Sequence, residues 1–453
     1  MKSIIAIIFI VSIHAPVLAK ESNFNFYRFN EDWKHLAEKP DRTPYQHIKY
    51  VSLRNDNKDW YVSFGGQVRS QFNAMNNDRF NLLGNEDGSL WLNRLTLHSD
   101  LHLGQQSRVF IELGSHHAEG SDDIEPGPFD ENEINLQQAF IDLRHGVVTL
   151  RAGRQESAFG SARLVSVRDG PNVRRAFDGG KIIVDVENVE TNVFYLQEVK
   201  VKEGAFDDTN NKDEELWGFY TTWGHVNRLT NIDVYYLGSD RATEQYVQGV
   251  DRDERHSLGL RFFGTRGAWN WNYEWIYQFG DFGNADVSAW TVATITDYHL
   301  KDIPWQPRVR LSANIASGDD DPNDGDLNTF NPLFPNLFYF EEAAILSPQN
   351  FMNLQPGITL YPHNDVSVSL DWNFFWKQHK ADGVYTAGLF PIKDTANSSS
   401  RFVTHVPQLS IDWEINSHMA VDIRYNHFFA GDVIEDAGGD DVGFFMAEVT
   451  FNF

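Results

Sequence analysis

The order of residues predicts an all-β protein, a transmembrane antiparallel β-barrel of about eighteen strands. Three features predict it: apolar and polar residues alternate with period two in run after run, aromatic residues gather near the ends of those runs, and the links between runs are short and long in turn.

The alternation is regular. In Tyr61–Asn73, Val62, Phe64, Val68 and Phe72 share one side, and Gln67, Arg69 and Gln71 the other. In Leu90–Leu103, Trp91, Leu95, Leu97, Leu101 and Leu103 alternate with Arg94, Thr96, His98, Asp100 and His102. Trp269, Trp271, Tyr273, Trp275, Tyr277 and Phe279 form one face of a single run, opposite Asn270, Asn272, Glu274 and Gln278. Runs of about nine to fourteen residues suit a tilted membrane strand and exceed the usual strand of a soluble sheet. The short links include 104–106, 145–146, 265–267 and 416–418; the long ones include 74–89, 117–135, 156–178, 200–214, 238–254, 318–349, 379–399 and 431–441. Short turns on one side and long loops on the other are the mark of a membrane barrel, with the turns periplasmic. The link 281–285 is short where a long one is expected. The last run alternates to an aromatic end, with Phe445, Val449, Phe451 and Phe453 on one face.

The remaining totals bound the class. Lys2, the apolar run Ile4–Ile13 and the small residues Val17 and Ala19 read as a cleaved secretory signal over 1–19. No later segment is long and apolar enough for a membrane helix, and in hydrocarbon only helices and closed barrels satisfy every backbone polar group. Residues 20–59 are then a periplasmic N-terminal segment and 60–453 the barrel, which places the protein in the outer membrane of a Gram-negative bacterium, against lipid and lipopolysaccharide. Absence of cysteine excludes a disulfide scaffold and any thiolate chemistry. The net charge of −26, from 64 acidic and 38 basic residues, excludes a nucleic-acid partner.

Several segments resemble the alginate export family of outer-membrane porins. Asn30-Glu31-Asp32-Trp33 with Ile48–Leu53 is similar to the family's lead-in segment, and Tyr61–Arg69 to its first strand. The fullest likeness runs through Leu150–Glu156 and Arg163-Leu164-Val165-Ser166-Val167-Arg168-Asp169-Gly170-Pro171-Asn172-Val173-Arg174-Arg175-Ala176-Phe177-Asp178-Gly179. Asp324-Gly325-Asp326 with Thr329–Pro335 extends it. The resemblance implies a monomeric eighteen-stranded channel for a polysaccharide or similar anionic solute, with a periplasmic partner where the solute is exported. A substrate-selective uptake porin for small organic acids or sugars is the alternative within the transport class.

Strand parity points Arg69, Arg94, Arg108, Arg151, Arg261, Arg308, Arg310 and Arg424 into the lumen. The stretch 151–175 adds Arg154, Arg163, Arg168, Arg174 and Arg175 on a long loop able to fold into the pore. Regular parity would turn Arg154 toward lipid, so the strand is expected to end or bulge there. Arginine's planar fork suits carboxylates on a solute. The bland alternative is that these arginines pair with inward Asp100, Glu112, Asp142 and Asp422 on neighbouring strands.

Two further clusters are weighed and set aside. Ser317–Asp326 is acid-rich, but its glycine falls one place late for a calcium loop and Phe330 stands where the final glutamate belongs. His116-His117 with Glu119 reads as a loop tip rather than a metal site. No nucleophile elbow, phosphate loop or zinc-protease motif is present, and no cofactor or catalytic residue is expected.

Overall fold

Eighteen long strands make one continuous antiparallel sheet in the computed structural model, which describes residues 24–84, 87–122, 124–224, 230–336, 338 and 340–453. The expected signal segment lies outside the described residues. The strands are β1 (Trp60–Asn76), β2 (Gly88–Leu103), β3 (Ser107–Asp122), β4 (Asn132–His145), β5 (Val148–Gln155) and β6 (Phe177–Val186). They continue as β7 (Val189–Lys200), β8 (Thr209–Trp223), β9 (Thr230–Tyr246), β10 (Gly249–Arg266), β11 (Trp269–Phe282) and β12 (Ala285–His299). The last six are β13 (Arg308–Ala316), β14 (Phe351–His363), β15 (Val366–Lys377), β16 (Phe402–Glu414), β17 (Met419–Ala430) and β18 (Val442–Asn452).

Each strand pairs with its neighbours in sequence, and β18 returns to β1 in a register running from Gln67↔Asn452 to Asn76↔Gly443. Closure leaves no free edge, the condition for crossing hydrocarbon with strands. The outward face is apolar: Leu143, Leu150, Ile182, Leu258, Leu260, Leu311 and Leu370 stand exposed. Trp223, Trp269 and Trp413 lie exposed at the short-turn ends of their strands, and Trp290, Trp372 and Phe429 nearer the long-loop ends. No helix among the described residues is long and apolar enough to cross a membrane.

Three local expectations are corrected. The long link expected over 238–254 is instead the top of a hairpin, because β9 runs on to Tyr246 and β10 begins at Gly249. Its residues alternate no hydrophobicity, since both faces there carry charges: Arg252 pairs with Asp240 and Glu254 on one side, Arg241 with Glu244 on the other. Strands that rise above the lipid lose the apolar face that betrays them in a sequence. For the same reason His116 and His117 lie within β3 and not on a loop tip, with His116 buried on the lumenal side. β5 stays in regular register through Arg154 to Gln155, with no bulge.

A charge placed in the apolar belt tests this arrangement. Leu258, in the middle of β10, is 50% exposed on the outward face. Leu258→Arg is expected to lower folding stability in lipid by about 2–4 kcal/mol, read from reversible unfolding in bilayers.

Candidate functional site

The eight arginines assigned inward by parity all meet partners, on neighbouring strands or on in-folded loops. Arg108 reaches both oxygens of Asp100 at 2.6 Å, and Arg151 those of Asp142 at 2.7 and 2.8 Å. Arg261 donates to Asp233 at 2.9 Å. Arg310 and Arg308 share Asp297, at 2.9 and 3.6 Å. Arg424 gathers Asp412, Asp422 and Glu342 at 2.7, 3.0 and 3.3 Å. Three of the four carboxylates expected to pair with arginine do so. The fourth, Glu112, instead accepts from Gln138 at 3.3 Å.

The remaining two inward arginines hold a loop. Arg69 and Arg94 stand directly opposite one another on β1 and β2, where like charges repel. The segment Asp169–Asn172 of the long β5–β6 loop lies between them. Arg69 donates to the carbonyls of Asp169, Gly170 and Pro171 at 2.7, 3.1 and 3.3 Å. Arg94 donates to the Asn172, Asp169 and Pro171 carbonyls at 2.7, 2.9 and 2.8 Å and to the Asp169 carboxylate at 2.7 Å. Arg174 closes on the same carboxylate at 2.6 Å. Burial alone would raise the Asp169 carboxyl, but Arg174, Arg94 and Arg69 together hold it well below the usual carboxylate range. Asn172, fully buried, ties the segment to the Asn93, His117 and Asp130 carbonyls at 2.9, 3.1 and 3.0 Å.

The other loop arginines divide. Arg163 meets Glu274 at 3.1 Å and Arg175 meets Glu198 at 2.6 Å. Arg168 lies flat on the Phe129 ring at 3.5 Å; burial, aided by Arg175, draws its guanidinium down to about 9. Arg154 is the correction: regular register opposite Asp178 turns it to the outer side of the wall, where Asp178 takes two hydrogen bonds at 2.9 and 3.0 Å.

Two loops then join inside the barrel. Val165 bridges to Phe334 of the β13–β14 loop, with Ser166 N–H donating to Phe334 O and Phe334 N–H to Leu164 O, both at 2.8 Å. Phe334 with Phe330, Leu333 and Phe340 packs on inward Phe177, Leu196, Tyr235 and Phe351, giving the outer half of the lumen an apolar core. Two arginines not assigned from the sequence anchor this second loop. Arg241 donates to Leu333 O at 2.6 Å, and Arg255 to Thr329 O at 2.9 Å. Arg255 shares its parity with Arg261 and was within reach of the sequence; Arg241 fell in the misassigned link.

From the short-turn end the N-terminal segment enters. Phe29 packs on Phe110 and Phe140 at 5.9 and 5.5 Å, Arg108 donates to its carbonyl, and Arg151 covers its ring at 4.6 Å. Arg174 lies over Phe26 at 4.7 Å, so this segment and the β5–β6 loop meet within the lumen.

At the acid-rich β13–β14 loop, Asp382 of the β15–β16 loop accepts from the Asp319 amide at 3.0 Å and from the Thr329 hydroxyl at 2.6 Å. Burial, with Asp382 and Asp324 nearby, raises the Asp319 carboxyl to about 6. No group of three metal-ligating side chains occurs among the described residues.

A closed barrel with an apolar exterior and a charged lumen, crossed by loops that its own wall holds inward, is a channel of the outer-membrane porin type. The chain belongs to the alginate export family, whose profile matches residues 60–448. Among solved structures it is similar to a BenF-like porin from Pseudomonas fluorescens Pf-5, at 10% identity and a TM-score of 0.60 over 86% of this chain and 99% of that one. It is likewise similar to Pseudomonas aeruginosa OccK2 (OpdF) in complex with glucuronate, at 10% identity and 0.57 over 86% and 98%. Acinetobacter baumannii OccAB1 shares 11% identity and a TM-score of 0.56 over 90% and 99%. These likenesses concern the fold. Among curated proteins none matches the chain.

Asp169→Asn removes the carboxylate on which Arg94 and Arg174 converge. Stranding buried charges costs about 3–5 kcal/mol, so the segment 164–175 is expected to gain amide exchange and protease sensitivity at Arg168. The wild-type loop should also loosen in acid. A depressed carboxyl stabilises fully above the unfolded value of about 4 and loses that contribution as pH falls toward the folded value. Conductance is expected to show no Asp169-linked change from pH 7 to about 4 and to begin rising only below about 4 in the wild type, a limb missing in Asp169→Asn.

Proposed function

We propose that the protein conducts acidic saccharides across the outer membrane, as single chains or short oligomers, without chemical change to them. The observation that carries this reading is the waist built by Arg69, Arg94, Arg174 and the Asp169–Asn172 segment. There a family-typical arginine-rich loop narrows a lumen walled by charge pairs. The buried pairs of the waist are fixed, whereas pairs at the wetter margin of the lumen, such as Arg310 with Asp297 and Arg108 with Asp100, exchange partners at less cost, each worth about 1 kcal/mol in high dielectric. A passing carboxylate can therefore replace Asp on such marginal arginines, and weak repeated contacts favour conduction over capture. The protein acts as a monomer, reaches the membrane after removal of residues 1–19, and presents 20–59 to the periplasm, where an export partner would deliver the solute.

Single-channel recording tests the reading. Uronate oligomers are expected to interrupt the current of the reconstituted channel, with residence times that lengthen as oligomers grow, and neutral glucose oligomers to do so far less. Small organic acids that block while uronate oligomers of every length pass unnoticed would transfer the assignment to uptake of small acids.

A further inference from the structure

The N-terminal segment has two parts. At the mouth of the barrel Trp33, Leu36 and Tyr50 pack on Tyr61 of β1, and Val51–Ser52 pairs with Tyr61 and Val62. Residues 24–31 go further in as a finger. Phe29, buried between Phe110 and Phe140, lies three and five residues in from the short-turn ends of β3 and β4. Arg28, buried as well, donates to the Gly66 and Phe453 carbonyls at 2.8 and 3.0 Å and to the Asn452 side chain at 3.2 Å. Lys49 holds the same Phe453 carbonyl at 3.0 Å from within a ring of Phe24, Trp33 and Tyr45, whose centroids lie at 5.4, 5.0 and 5.7 Å. The finger is thus pinned on two walls, at β3–β4 and at the β1–β18 seam.

Its tip reaches the waist. Phe26 floors the Arg174 guanidinium, and Tyr27 stands between Phe26 and Phe29, its ring 4.9 and 5.4 Å from theirs. Burial, and after it the Glu156 carboxylate, raises the Tyr27 hydroxyl above the ordinary tyrosine value against the Arg174 charge, so that ring too lies against the waist. A polar line runs beside the rings: Arg28 donates to Asn452, Gln67 donates to the same Asn452 oxygen at 3.2 Å, and Arg174 donates to the Gln67 oxygen at 3.5 Å. Arg174 is the guanidinium that joins Asp169 at 2.6 Å to buried Glu156 at 3.4 Å. The finger keeps water from the short-turn side of that group. With solvent in place of Phe26 and Tyr27, the attraction at a fixed distance falls about fourfold, from its value near a protein surface to that in bulk water. One of the three guanidinium groups that converge on Asp169, those of Arg69, Arg94 and Arg174, is then weakened.

We propose that residues 24–31 are an autoinhibitory finger, which when seated keeps the β5–β6 loop in the lumen and when withdrawn toward the short-turn mouth lets the waist widen. The finger belongs to no strand of the sheet, so it can leave while the β1–β18 closure stays intact. Phe29 and Arg28 hold it on the wall, and Phe26 and Tyr27 carry its position to Arg174. A pull on the segment from the short-turn side therefore acts on Asp169–Asn172. The device works for any solute and stands apart from the acidic-saccharide reading.

Amide exchange and single-channel conductance of the full-length channel in lipid test the finger. Phe29→Ala removes an anchor that rests on β3 and β4. It is expected to speed exchange over 24–31 about a hundredfold, to speed exchange over 166–175 with it, and to raise conductance. Phe26→Ala, which removes the ring under Arg174, should speed exchange over 166–175 about threefold. Ile48→Ala, on the exposed face of the segment, should change neither. Heat-modifiable migration shows that each barrel is closed. The wild type gives a reading that needs no variant: 166–175 should exchange at least as fast as 24–31, because each withdrawal of the finger frees the waist. A Phe29→Ala channel whose finger exchanges fast while 166–175 and the conductance keep their wild-type values would overturn the proposal. So would a wild-type finger that opens readily beneath a protected waist.

Discussion

Pairing of β1 with β18 is the constraint on which the structure depends. In hydrocarbon an unpaired strand edge leaves N–H and C=O groups without partners, so the sheet holds only as a closed ring. Closure at this size cannot be filled by wall side chains alone. The outward face must be apolar, as Leu143, Leu258 and Leu370 are, and the inward face must be wettable. Charge inside the barrel follows from the strand count before any solute is considered.

What the inward charges do first is build. Arg69 and Arg94 would repel across β1 and β2, and the carbonyls of Asp169–Asn172 relieve that repulsion by folding between them. Arg241 and Arg255 treat Thr329–Leu333 in the same way on the far wall. Guanidinium groups suit this work because their rigid fork offers several donors at once to a bare backbone. A loop in the lumen has to satisfy its own carbonyls, and arginine is how this wall does it. The waist is thus a product of wall chemistry and loop chemistry together, narrow because it is satisfied.

How much of this was legible depends on where each residue sits relative to lipid. Arg69, Arg94, Arg151 and Arg424 were placed by parity because their strand neighbours carry an apolar outer face. Asp240–Asp253 gave no such signal, since that hairpin carries charges on both faces, and Arg241 was missed with it. Arg154 was assigned to the pore on an assumed end to its strand; the register continued and turned it outward onto Asp178.

By itself the sequence determined the strand number, the closed sheet and the face taken by residues on the lipid-spanning parts of the strands. Those follow from a local rule, that neighbouring residues on a membrane strand meet opposite solvents. Only the tertiary structure decided that loops 156–176 and 317–350 meet at Val165 and Phe334 and that Arg69 and Arg94 grip the Asp169–Asn172 segment. Partner choice inside a lumen is settled among residues far apart in the chain, by distance and by competition for donors, and no local periodicity records it.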